Sequence, residues 1–153
     1  MTSPIYSANN LIIRANNENI ALTPLKLQKL LYILYARCLQ RTDTPLFPNR
    51  FEVWQHGPVV GEVYTAFRSY GARHIDEPLP YPDRQVYRLS EAGVFAECLD
   101  EVWYRYGKKS GSFLVKLTHG QDSAWSKAKE RDGCLGGLLS DDDIREDGTR
   151  WFA

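Results

Sequence analysis

The stretch LTPLKLQKLLYILYARCLQR constrains the fold more than any other part of the sequence. Thr23 is a good helix N-cap, and Pro24 suits the first helical position because its φ is preset and its missing N–H needs no partner there. We therefore predict a helix from Thr23 to Arg41 that is apolar on nearly all sides and buried at the centre of the domain. The apolar residues that form its stripe and widen it are Leu25, Leu27, Leu30, Leu31, Tyr32, Leu34, Tyr35, Cys38 and Leu39.

The polar side chains of this helix form only a narrow strip, which consists of Gln28, Lys29 and Arg37. Lysine is rarely buried without a partner, so Lys29 is predicted to be solvated and to have no catalytic role.

Several other segments carry the apolar spacing and the caps of helices. A first helix is predicted around Ile5 to Ala15, ending in the polar NNEN run at residues 16–19. A later helix is predicted with Ser90 as its cap, Glu91 in its first turn and a buried face from Val94 to Trp103. Two shorter helices follow, one from Ser112 to Leu117 and one that is capped by Asp122 or Ser123 and runs through Ala128. The last predicted helix starts at Ser140 and has Asp141, Asp142 and Asp143 in its first turn.

The segment FEVWQHGPVVGEVY, residues 51–64, combines a strand pattern with a corner. FEVWQ alternates as a short strand does, and VYRL at residues 86–89 is a candidate to pair with it. Gly57 is expected to be extended before Pro58, and Pro58 is expected to open the next helix with its preset φ. The buried face of that helix and its stop are predicted to be Val60, Val63, Tyr64, Phe67 and Gly71.

Together these elements predict a mainly α protein. We expect one compact domain, residues 1–153, with six or seven helices around the central helix and at most a small β-hairpin. Hydrophobic residues make up 43% of the chain and charged residues 25%, as in globular domains.

The charge balance and the cysteines restrict the class of protein. The 19 basic and 19 acidic residues cancel, whereas nucleic-acid binding usually needs a basic excess. Cys38, Cys98 and Cys134 lack metal-binding spacing, and the first two lie in apolar helical patterns as buried free thiols would. The N-terminus has no secretion-signal pattern, and no apolar run could span a membrane. We therefore expect a cytoplasmic protein without a membrane segment.

No arrangement of side chains indicates catalysis. His56, His74 and His119 lack the spacing of metal ligands, and the consecutive residues Asp141 to Asp143 suit a helix start better than a metal site. We predict no catalytic residue, no cofactor, no metal ion and no enzymatic activity. A small hydrolase that uses His56 or His119 stays open as an alternative.

A DNA-binding regulator is the other alternative. A recognition helix needs basic side chains on its outer face, and the helix after the Gly57-Pro58 corner offers only Arg68 and Arg73, near its end. A second modest basic cluster contains Arg105, Lys108 and Lys109. The sequence therefore argues against nucleic acid as a partner.

The order of the motifs resembles the Panacea domain family, the SocA-like antitoxin domain of bacterial and prophage genes. The blocks that carry the resemblance are LTPLKLQKLLYILYA, FEVWQHGPVVGEVYTAFRSYG, LVKLTHGQDSAWSKA and LSDDDI, and they span roughly residues 5–146. The first two blocks are specific when they occur together. The resemblance implies a mostly helical domain that neutralises a toxin encoded by an adjacent gene through direct protein–protein contact.

The resemblance also implies an alternative mode, in which the antitoxin is a proteolytic adaptor that delivers its toxin to an AAA+ protease. Either mode involves a hetero-oligomer, and a homo-oligomer stays open. Because exposed aromatic and arginine side chains anchor many interfaces, the residues predicted to bind the partner are Trp54, His56, Tyr64, Arg68, Tyr81 and Tyr87.

Overall fold

The computed structural model describes residues 3–80, 93–133 and 136–153. In these ranges it is mainly α-helical with one small antiparallel sheet, which confirms the predicted fold class. The helices are α1 (Pro4–Asn17), α2 (Pro24–Thr42), α3 (Gly61–Phe67), α4 (Val94–Tyr106), α5 (Gly111–Thr118), α6 (Ala124–Asp132) and α7 (Asp141–Trp151), and the strands are β1 (Glu52–Trp54) and β2 (Gly57–Val59).

Helix α2 is the central element, as its apolar pattern predicts. Thr23 is its N-cap and accepts a hydrogen bond from the N–H of Lys26, while Pro24 occupies the first helical position. Its side chains are buried along almost the whole length, and α1, α3, α4, α5, α7 and β2 all contact it. Helix α2 therefore packs against other parts of the core on almost all sides.

Serine caps explain where three further helices begin. Ser110, Ser123 and Ser140 each accept a hydrogen bond from an N–H in the first turn of α5, α6 and α7. The acidic first turn predicted after Ser140 is confirmed. Because such caps act within four residues, the sequence predicts those at Ser123 and Ser140, whereas the cap at Ser110 is not among the predicted ones and α5 begins at Gly111 rather than Ser112. The cap predicted at Ser90 lies outside the described residues, and α4 begins at Val94 after Gly93.

Helix α7 packs closely against α2 through a glycine and a buried acid. A Cβ at Gly148 would lie 2.4 Å from the backbone oxygen of Ala36, so the helices could not approach as closely with a larger residue. Asp147 accepts a hydrogen bond from the Tyr32 hydroxyl at 2.6 Å. Its carboxylate also accepts from the N–H of Ala124, so it ties α6 and α7 to α2.

The β-hairpin differs from the predicted corner. Gly57 has a φ of +117°, in the region that favours glycine, and is not in the extended conformation expected. Pro58 lies within β2 opposite Val53, and helix α3 begins only at Gly61, so the prediction that Pro58 opens the helix is wrong. Strand β1 pairs with β2, while the candidate partner VYRL lies outside the described residues.

Pairing geometry explains how a proline fits into this strand. Val53, opposite Pro58, directs its N–H away from β2 to the oxygen of Gly137 at 2.8 Å. Val53 and Pro58 therefore form a pair that exchanges no backbone hydrogen bonds, and the missing N–H of Pro58 leaves no bond of the sheet unmade. The Pro58 carbonyl is free to accept a hydrogen bond from α2.

Candidate partner-binding site at the β-hairpin

Two polar residues of α2 hold the hairpin in place. Gln28 forms a reciprocal pair with Val60, donating to its oxygen at 3.2 Å and accepting from its N–H at 3.0 Å. Lys29 donates from Nζ to the Pro58 oxygen at 2.8 Å. These contacts bond β2 and the start of α3 to the central helix.

The predicted solvation of Lys29 is wrong, because the side chain is completely buried. Burial lowers the pKa of its ammonium to about 7, since no described residue pairs with it as a carboxylate to offset the loss of water. A signal for this burial is present in the sequence. A helix that is apolar on nearly all sides has few exposed positions, so its polar residues are drawn into the core with it.

Gly57 is required where Lys29 passes the hairpin. A Cβ at this position would lie 2.8 Å from Cε of Lys29, 2.9 Å from its Nζ and 3.0 Å from the Thr118 hydroxyl. Both the positive φ and the close approach therefore exclude larger residues. The glycine allows α2 and the end of α5 to meet the hairpin from the same side.

The end of α5 and the start of α6 complete this junction. His119 stacks on the Trp125 ring with centroids 3.9 Å apart, and the Trp125 indole donates to the Trp54 oxygen at 2.9 Å. Burial, followed by the nearby charges of Lys29, Lys129 and His56, lowers the pKa of His119. The first three sequence blocks that define the family resemblance therefore converge on the hairpin.

A cavity of about 350 Å³ opens beside the hairpin, between α2 and α3. The rings of Trp54 and Tyr64 lie 4.7 Å apart at this cavity, and 41% of Tyr64 is exposed. The cavity is lined by Pro24, Leu25, Leu27, Gln28, Lys29, Trp54, Gln55, His56, Val59, Val63, Tyr64, Phe67 and Gly71. Most of these side chains are apolar, as in sites that bind ligands or partner side chains.

The structure brings together three of the six residues predicted to bind the partner. Trp54, His56 and Tyr64 all line the cavity. Arg68 is exposed in the short 3₁₀ turn after α3, and it does not line the cavity. Tyr81 and Tyr87 lie outside the described residues. The sequence missed Gln28 and Lys29, whose hydrogen bonds position the hairpin.

The other candidate residues that the structure describes lie away from the cavity. His74 accepts a hydrogen bond from the N–H of Leu22 through Nδ1 and contacts the Asn16 side-chain oxygen through Nε2, so it joins α1 to the segment before α2. Cys38 and Cys98 are buried free thiols, as predicted, and Cys134 is not described. Within the described ranges no three His, Cys, Asp or Glu residues converge to hold a metal ion. None of the described helices is long and apolar enough to span a membrane.

A change of Lys29 to methionine is expected to alter the pH dependence of stability. The folded state lowers the pKa of Lys29 from 10.5 to about 7, so the unfolded chain binds more protons between these values. The free energy of unfolding of the wild type should therefore rise relative to Lys29→Met as the pH increases, by roughly 2–3 kcal/mol between pH 6 and 9. Urea denaturation of both proteins at several pH values measures this difference. A constant difference would contradict the burial of a titrating ammonium.

Comparison with known proteins assigns the fold and the hairpin junction to a family. The family model of the SocA-like antitoxin, Panacea domain, matches residues 27–126. The chain belongs to this family, which confirms the resemblance seen in its motifs. The matched range includes Lys29, Gly57, His119 and Trp125, which form the junction around the hairpin.

A curated relative gives a particular protein for comparison. The chain is 31% identical over 127 residues to Antitoxin SocA of Caulobacter vibrioides (strain NA1000 / CB15N). The alignment covers 77% of this chain and 65% of the relative, so this chain spans just under two thirds of the length of the relative. No solved structure matches the chain.

Proposed function

We propose that this protein is an antitoxin that binds and blocks a toxin protein encoded by an adjacent gene. The family match over residues 27–126 is the observation that carries the proposal. The proposed activity is binding rather than catalysis, and the complex is proposed to form in the cytoplasm. The buried free thiols of Cys38 and Cys98 are compatible with a reducing compartment.

The proposed contact surface is the rim of the cavity, formed by Trp54, His56 and Tyr64 and extended by Arg68. Trp, Tyr and Arg side chains supply much of the binding energy of protein interfaces, and they are most effective beside a pocket that excludes water. The Trp54–Tyr64 pair lies at the mouth of such a pocket. The rigid junction beneath it, through Gln28 and Lys29, reduces the ordering that binding would require.

Co-expression with the adjacent gene tests this function. Expression of the adjacent gene alone is expected to stop growth, and co-expression of this chain is expected to restore it. Absence of toxicity, or toxicity that this chain does not relieve, would overturn the proposal. A matched strain should express an equal amount of the Tyr64→Ala variant, which is expected to rescue growth less well.

The amount of toxin separates direct blocking from delivery to a protease. Direct blocking predicts a stable complex that purifies as one species, with unchanged toxin levels in the rescued cells. Delivery to an AAA+ protease predicts that toxin levels decrease and that rescue fails in a protease-deficient strain. The second result would replace the proposed mode with the adaptor mode while leaving the antitoxin function in place.

A further inference from the structure

The cavity beside the hairpin has the size and lining of a pocket for one large side chain. Its volume of about 350 Å³ lies at the lower end of the range for small-ligand sites. Leu27, Val63 and Phe67 are buried in its wall, while Leu25 and Tyr64 are partly exposed at its edge. An apolar group that enters it would displace water from apolar surface, which favours binding.

The lining of this cavity contains basic residues but no acidic ones among the described residues. Lys29 and His56 are the basic residues among its described lining residues, and none of those lining residues is Asp or Glu. Lys29 is protonated below its pKa of about 7, and apolar walls weaken the dielectric screening of its charge inside the pocket.

The buried ammonium of Lys29 has no carboxylate to balance it in the described part of the chain. Its hydrogen bond is to the neutral Pro58 oxygen. Glu52 accepts a hydrogen bond from the Trp54 indole and Glu62 accepts one from Asn49, and neither of these carboxylates is bonded to Lys29. An acidic group on a partner would therefore meet an uncompensated positive potential.

We propose that the cavity binds an apolar side chain of the toxin, about the size of phenylalanine or leucine, and that a carboxylate of the toxin lies next to this side chain. This inference rests on the proposed antitoxin function and specifies the chemistry of its contact. The apolar part fills the pocket between Val63 and Phe67. The carboxylate stays near the mouth, where His56 can contact it and Lys29 attracts it through the wall without direct contact.

Two model compounds test the chemistry of the cavity without any toxin. N-acetylphenylalanine has the apolar side chain and a carboxylate, whereas N-acetylphenylalaninamide has the same shape without the charge. At about pH 6, below the pKa of Lys29, the acid is expected to bind the wild type about three- to fivefold more tightly than the amide. NMR titration that follows the indole N–H signals of Trp54 and Trp125 measures both affinities.

Two variants of the chain make this result specific. Lys29→Met is expected to lose most of the preference for the acid over the amide, and Val63→Phe is expected to abolish saturable binding by filling the pocket. The indole spectrum of each variant shows that it is folded before titration. Equal binding of both compounds to the wild type would overturn the proposal, as would shifts confined to signals away from Trp54.

The toxin itself provides the final test of this inference. A folded Val63→Phe variant is expected to lose its ability to relieve toxicity in the co-expression assay. If this variant neutralises the toxin as well as the wild type does, the pocket is not the contact and the inference is overturned, although the antitoxin function stands. If the wild type itself relieves no toxicity, the proposed function fails, and the toxin contact inferred here fails with it.

Discussion

Replacing Gly57 with alanine is expected to lower the free energy of unfolding by about 2–6 kcal/mol. The φ of +117° strains any residue with a Cβ, which contributes about 1–3 kcal/mol. The new methyl group would also displace Lys29 from the Pro58 oxygen and press on Thr118, which adds about 1–3 kcal/mol of overpacking. Urea denaturation at constant pH measures the loss.

Gly93→Ala provides the matched control for this prediction. Its φ is +111°, close to that of Gly57, but no described atom lies within 4 Å of the added Cβ. This variant should show the backbone strain without the overpacking, so it should be less destabilised than Gly57→Ala. Equal losses in the two variants would contradict the inferred contact between the hairpin and Lys29.

Replacing Asp147 with alanine is expected to be similarly damaging, with a loss of about 3–5 kcal/mol. The side chain is completely buried and accepts hydrogen bonds from the Tyr32 hydroxyl and the Ala124 N–H. Its removal leaves these two donors buried without a partner, at about 1–3 kcal/mol each, breaks the ion pair with Arg150, and also leaves a cavity. Thermal and urea denaturation should both show the decrease.

Asp142→Ala, on the same helix, is the control for Asp147→Ala. The Asp142 side chain is 91% exposed and pairs with Arg145 at the surface. Exposed ion pairs contribute little, so we expect a loss of no more than about 1 kcal/mol. If both variants were equally stable, the buried network that joins α2, α6 and α7 would not contribute as inferred.

Local chemistry explains which parts of the fold could be predicted from the sequence. The N-caps at Thr23, Ser123 and Ser140 each act within a few residues, so their hydrogen bonds follow from sequence alone. The apolar stripe of α2 likewise repeats over the whole length of the helix. Both signals are independent of distant parts of the chain.

Long-range contacts explain the predictions that were wrong. Pro58 has the local features of a helix start, but pairing of β2 with β1 places it in a strand, and Gln28 bonds Val60 just before α3 begins. Lys29 is buried because a carbonyl 29 positions later accepts from its ammonium. Neither partner can be identified from the residues around Pro58 or Lys29 alone.

The candidate site also combines features that residue type predicts with features that arise only from long-range contacts. Trp54, His56 and Tyr64 could be proposed from residue type, because aromatic side chains next to a corner suit an interface. Their common cavity could not be predicted, because it forms only where α2, α3 and the hairpin meet. The basic character of that cavity depends on the burial of Lys29, which its residue type alone predicts to be solvated.

The affinity of the purified chain for its proposed toxin tests most directly whether the hairpin face makes the contact. Isothermal titration calorimetry with Tyr64→Ala is expected to show binding at least about 30-fold weaker than with the wild type, as for an interface anchor. Tyr104 on α4 is 92% exposed and lies outside the cavity, so Tyr104→Ala is expected to bind within about twofold of the wild type. Wild-type affinity in Tyr64→Ala, together with weakened binding in Tyr104→Ala, would contradict the account.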